Sequence, residues 1–245
     1  MTRWDKSAYV TALRQETRRF RDVVAAADAD LAVPSCPEWN LGQLTGHLSL
    51  VFQRLGERVT TAAAPEGWKR PDTVTISLEE FDAAFERLAL VLERLELDDP
   101  AWNPAPLPNT ARFWFRRAGC ETAVHRWDAQ MAVGSVEPID ASLATEGIDE
   151  AFDAMLPSGR RRDKGEFTGL VRLAATDVER DWFVRLRGER LALLDADSVD
   201  TESSPVHARA AGTASDLMLA LWGRVPFGAL DTVGSEELLS ALRIG

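Results

Sequence analysis

A helix-period segment whose inward face is ionisable limits what this chain can fold into more than any other feature. Over residues 110–133, Trp114, Ala118, Glu121, His125, Asp128 and Ala132 recur at alternating spacings of four and three, which places them on one face of an α-helix. Glu121 and His125 stand one turn apart, a spacing suited to shared metal ligation. The chain has three histidines, and His47 lies on a second such stripe, with Leu44, Leu48, Val51 and Leu55. Burying a carboxylate and two imidazoles without compensation costs on the order of several kcal/mol, because each polar group loses water. A divalent metal offsets that cost. Imidazole nitrogen and carboxylate oxygen are ordinary zinc ligands, and three protein ligands leave a fourth position open. The expectation is a site of His47, Glu121 and His125 inside a helical bundle, with Asp128 orienting an imidazole from behind. The competing reading has Glu121 and His125 paired with Arg117 or Arg126 at the surface.

The rest of the chain supplies the helices such a site needs. A first helix is expected over residues 4–29, with Tyr9, Leu13, Phe20, Val24 and Ala27 inward. The loop VPSCPEW at 33–39 is broken by Pro34 and Pro37, and Asn40 with Gln43 forms a capping box opening the helix of His47. The polar stretch 62–75 is longer than a turn requires, so part of it is expected to fold over something. Ser77 and Glu80 form a second capping box, followed by Leu78, Phe81, Phe85, Leu88, Leu92 and Leu95. Four prolines at 100, 104, 106 and 108 exclude a helix before residue 110. A fifth helix, residues 140–156, places Ala144, Ile148, Phe152 and Met155 inward, and the polar run 157–165 reads as a linker. Beyond it the period falls to two, as in Val171, Leu173, Ala175 and Trp182, Val184, Leu186. Further strands are expected at 191–194, 206–211 and near 230–233, with helices from Thr213 and from Ser235. The predicted fold is an up-and-down four-helix bundle over 1–157 followed by a small α+β domain over 165–245.

Charge and composition narrow the function. A net charge of -11 opposes binding to nucleic acid or to an anionic membrane, both of which require a basic surface. No apolar run reaches the roughly 20 residues that span a bilayer, and no secretory leader pattern opens the chain. A cytoplasmic location is expected. Cys36 and Cys120 are too few for a disulfide framework, and both read as structural thiols. His207 alternates with Val206 and Ala208 and reads as a surface or edge residue.

Three segments carry a resemblance. CPEWNLGQLTGHL at 36–48, ETAVHRWDA at 121–129 and ASDLMLALWGR at 214–224 occur in the order found in the mycothiol-dependent maleylpyruvate isomerase family of actinobacteria, which the chain resembles over nearly its whole length. The resemblance implies a DinB-like metal-binding four-helix bundle joined to a small sterol-carrier-like α+β domain. It implies His47, Glu121 and His125 as metal ligands and Arg224 as an active-site arginine contributed by the small domain. It also implies a metal cofactor, most simply zinc, and mycothiol as a low-molecular-weight thiol. A thiolate held at the metal could add to an activated double bond, permit rotation and leave, giving isomerisation, or remain attached, giving S-transfer to an electrophile. Arg224 would clamp a substrate carboxylate.

The expected function is therefore that of a metal- and mycothiol-dependent isomerase or thiol transferase acting on a small electrophile or carboxylate. Two other readings stand beside it. One is a thiol-independent metal hydrolase using zinc-bound water; the other is a non-enzymatic protein that captures a small ligand.

Overall fold

The structure, a computed structural model, describes residues 4–64, 74–163, 165–196, 199 and 205–244. The chain divides into two compact units, Met1–Glu137 and Pro138–Gly245. The first holds helices α1 (Lys6–Ala26), α2 (Leu41–Arg58), α3 (Leu78–Arg94) and α4 (Arg112–Ala132). Both expected capping boxes form: Asn40 with Gln43 opens α2, and Ser77 with Glu80 opens α3. At the second, the Ser77 backbone and hydroxyl donors hold the Glu80 carboxyl below its ordinary range.

The apolar stripes close on one another. Leu13 and Phe20 of α1, Leu44, Leu48 and Phe52 of α2, and Phe81, Leu88 and Leu92 of α3 are all buried. A simple up-and-down bundle makes chain neighbours packing neighbours, and here the order differs. Helix α1 packs chiefly on α4, whereas α2 packs on both α3 and α4. The connections 27–40 and 95–111 are long enough to carry the chain across the bundle, and each is braced by an isolated bridge, Ala32 with Asn40 and Pro100 with Thr110. Helix α4 is also not one-sided. Besides the predicted stripe, Phe113, Phe115, Thr122, Ala123, Val124, Arg126 and Trp127 are buried, so nearly its whole circumference is covered.

One glycine fixes how the chain returns after α2. A β-carbon on Gly46 would lie 1.7 Å from the Val74 carbonyl oxygen, and one on Gly42 would lie 2.8 Å from the Thr75 side chain. The backbone at 74–75 therefore rests directly on α2, one residue from His47. The expectation that part of 62–75 folds over something holds at this end, while residues 65–73 lie outside the described residues. Gly46→Ala is expected to destabilise the first unit by about 1–3 kcal/mol, outweighing the roughly 1 kcal/mol that alanine gains in helix propensity. Chemical denaturation of the variant beside the parent chain measures the difference.

The second unit begins with α5 (Ala141–Glu150), continued by a π-helical turn over Ala151–Met155. Its sheet has the order β3-β2-β1-β4-β5, with β1 (Phe167–Ala175), β2 (Asp181–Gly188), β3 (Arg190–Leu194), β4 (Ala208–Gly212) and β5 (Asp231–Gly234). All neighbours are antiparallel except β1 with β4. Helices α6 (Ala214–Leu221) and α7 (Glu236–Ser240) complete it. The paired residues Val171 with Val184 and Leu173 with Trp182 form the buried centre of the sheet. His207 is exposed, as expected.

The division of the chain falls earlier than residues 157–165. Helix α5 packs against α6, and the Ile139 amide donates to Ser215 Oγ at 2.9 Å. The inward face of α5 was legible; which partner it would meet was not, since periodicity names a buried face and not what covers it. The run 157–165 is tied down as well, through the Arg161–Ile244 bridge and the Arg162 amide on the Arg243 carbonyl at 2.8 Å. No helix among the described residues is long and apolar enough to cross a membrane.

Candidate metal centre

Three side chains from two helices of the first unit converge. His47 comes from α2, Glu121 and His125 from α4, and one potential ligand atom from each lies within 4.8 Å of the others. Glu121 Oε1 is 3.6 Å from His47 Nε2 and 3.4 Å from His125 Nε2. Zinc bonds of roughly 2.0–2.2 Å at a tetrahedral angle separate neighbouring ligand atoms by about 3.3–3.6 Å. The donor set and its spacing therefore fit a divalent metal of that kind.

Each ligand candidate is held from behind. The i,i+4 partner Arg117 binds Glu121 through Oε2, leaving Oε1 turned toward the two imidazoles. His125 Nδ1 lies 2.9 Å from Asp128 Oδ2. The carboxylate accepts, so Nδ1 carries the proton and Nε2 presents its lone pair to the centre. Asp128 is fully buried and is in turn held by the loop before α2: the Ser35 hydroxyl donates to Oδ1 at 2.6 Å and the Cys36 thiol to Oδ2 at 3.6 Å. Trp39 closes that loop against the histidines, its ring centroid 4.6 Å from that of His47. The two imidazoles meet edge to face with centroids 4.8 Å apart.

The centre sits at the margin of the bundle core. Side-chain exposure is 20 % at His47 and 15 % at Glu121 but 6 % at His125. One side is thus packed and the other accessible, as a site that exchanges a ligand requires. The surface-pairing reading is half present: Arg117 does pair with Glu121, yet both are largely buried, while Arg126 turns to Glu16 on α1.

The structure brings His47, Glu121, His125 and Asp128 together, and adds Ser35, Cys36 and Trp39 as supports that the sequence did not reveal; Arg117 was legible as a partner of Glu121, though at the surface rather than buried beside it. The proline-bracketed loop was a signal that the segment is rigid, but not of what it touches. Cys120 is buried in the core, as expected of a packed thiol. Arg224 belongs to the second unit, just after α6, where its Nη1 donates to the Trp222 carbonyl at 2.9 Å.

Comparison with known proteins bears on this arrangement. Residues 10–130 match the mycothiol maleylpyruvate isomerase N-terminal domain. Residues 10–130 are thus a domain of the mycothiol maleylpyruvate isomerase family. The matched residues include all three ligand candidates and the loop that supports them. Two solved structures share the fold: a histidine-to-alanine mutant of the mycothiol-dependent maleylpyruvate isomerase, with a TM-score of 0.62 at 12% identity over 95% of each chain, and the mycothiol-dependent maleylpyruvate isomerase, with a TM-score of 0.60 at 13% identity over 92% of this chain and 93% of the other. No curated protein matches by sequence.

Proposed function

We propose that this protein is a metal-dependent enzyme that activates mycothiol for isomerisation of, or transfer to, a small electrophile. The observation that carries the proposal is the convergence of His47, Glu121 and His125 within 4.8 Å, with Asp128 fixing the His125 tautomer. These three residues would hold the metal, for which zinc suits the donor set. When bound, the metal would supply an open Lewis-acid position that keeps a thiol sulfur ionised at neutral pH.

The chain's own residues tune that position. Glu121 and Asp128 bring two negative charges and Arg117 one positive. With neutral imidazoles and a divalent cation the cluster carries one net positive charge, and an anionic sulfur restores neutrality. A thiolate is thus a better match to the charge balance than a neutral ligand. Trp39, packed on His47, shields that ring from water and limits its movement. Arg224 is assigned the role of binding a substrate carboxylate through its planar guanidinium.

The test is turnover of maleylpyruvate and a panel of activated alkenes by metal-loaded protein, with and without mycothiol. Turnover is expected only when both metal and thiol are present, and Arg224→Gln is expected to raise KM for carboxylate substrates by about tenfold or more, in line with loss of a charge-assisted pair. Undiminished turnover without thiol would replace this proposal with a metal hydrolase.

A further inference from the structure

A second constellation, apart from the ligand candidates, gathers positive charge in the second unit. Gly223 follows α6 with φ of +70°, a conformation that favours glycine. The space beside it is occupied by two guanidinium ends. A β-carbon on Gly223 would lie 3.3 Å from Arg243 Nη2 and 3.7 Å from Arg162 Nη1. The backbone holds the two arginines together, because the Arg162 amide donates to the Arg243 carbonyl at 2.8 Å and the adjoining residues Arg161 and Ile244 form a bridge.

This arrangement lacks its counter-charge. Neither Arg162 nor Arg243 has a carboxylate partner among the described residues, in a protein whose net charge is -11. Arg243 makes one long bond, from Nη2 to the Gly223 carbonyl at 3.4 Å, and its Nε is buried with no acceptor. Burial, and then the nearby charge of Arg162, hold the Arg243 guanidinium below its ordinary range. Two like charges fixed side by side, one of them with a buried and unanswered donor, are the reverse of what an acidic surface would supply by chance.

We propose that Arg162 and Arg243, converging over Gly223, form a binding site for a small anion bearing a carboxylate or phosphate group. Guanidinium groups meet such oxyanions with paired N–H donors, and the absence of a side chain on Gly223 lets the two arginine ends approach each other there. Arg224 follows Gly223 directly in the chain, so the anion site adjoins the residue assigned to carboxylate binding by the resemblance. The Arg162–Arg243 pair stands on its own geometry and does not depend on the metal centre.

The test is calorimetric titration of the full chain, at low ionic strength, with inorganic phosphate and separately with maleate. Saturable binding of at least one anion is expected, weakened tenfold or more in both Arg162→Gln and Arg243→Gln, and retained in His125→Ala. Arg162 is exposed, so its variant reports binding even if Arg243→Gln impairs folding. Preference for maleate would mark the site as one for a carboxylate substrate; preference for phosphate would mark it as one for a phosphorylated ligand. Absence of saturable binding, binding unchanged in Arg162→Gln, or loss of binding in His125→Ala overturns the assignment.

Discussion

In the His125→Ala protein, zinc content after dialysis is expected to fall from stoichiometric to trace. Three donors converge in the parent chain, and this substitution removes the most buried of them, the one whose tautomer Asp128 sets. Loss of a supporting residue behind a ligand typically weakens metal binding by about 10–100-fold, and loss of the ligand itself should exceed that. Asp128→Ala provides the graded comparison. It keeps all three donors but frees the His125 ring and leaves the Ser35 hydroxyl and Cys36 thiol without their acceptor, so affinity should drop within that 10–100-fold range. Competition with a chromophoric chelator orders the three proteins. Because a ligand that binds only the folded state raises stability by mass action, added zinc should raise the melting temperature of the parent and not of His125→Ala. Stoichiometric zinc in both His47→Ala and His125→Ala would remove these residues from the centre.

The largest effect on stability is expected at Glu16→Ala. Arg126, on the side of α4 away from the ligand candidates' stripe, is fully buried, and its Nε donates to Glu16 Oε2 on α1 at 2.7 Å. Removing the carboxylate leaves a charge in the core, a loss of about 3–5 kcal/mol in comparable cases. Arg126 keeps two neutral acceptors, Gln130 Oε1 and the Glu137 carbonyl, which argues for the lower end. Denaturant unfolding of Glu16→Ala and Glu16→Gln measures it. The glutamine retains an acceptor but not the charge, so it should recover part of the loss. A change below 1 kcal/mol in Glu16→Ala would mean that the pair contributes little.

This pair also shows where the sequence stopped being readable. The stripes of α2 and α3 were legible because each helix has one apolar face and one charged face, and so were the ligand candidates, which stand at positions where the period calls for apolar residues. Helix α4 is covered on almost every side, and the charged Arg126 read as a surface residue because its partner lies on α1. Burial of a charge depends on a neighbour that periodicity cannot name. The same limit separates Asp128, found by its spacing from His125, from Ser35 and Cys36, which reach Asp128 only through the fold of a distant loop. In the second unit, alternation identified the strands, but β1 and β2 bury residues on both faces, and nothing in either strand specified that β1 would also run parallel to β4.

The contact between α1 and α4 has a consequence for how the protein is made. Glu16 and Arg126 are 110 residues apart, so during synthesis α1 leaves the ribosome well before its main packing partner exists. Long-separation contacts of this kind slow folding, because a large loop must close before any of its stabilisation is gained. Meanwhile the buried face of α1, which includes Leu13 and Phe20, has neither α3 nor α4 to cover it, and the nascent chain is open to association with other chains. His47 waits in the same way for Glu121 and His125. A metal held by these three residues would therefore be captured late in the maturation of this protein, after the docking of its fourth helix.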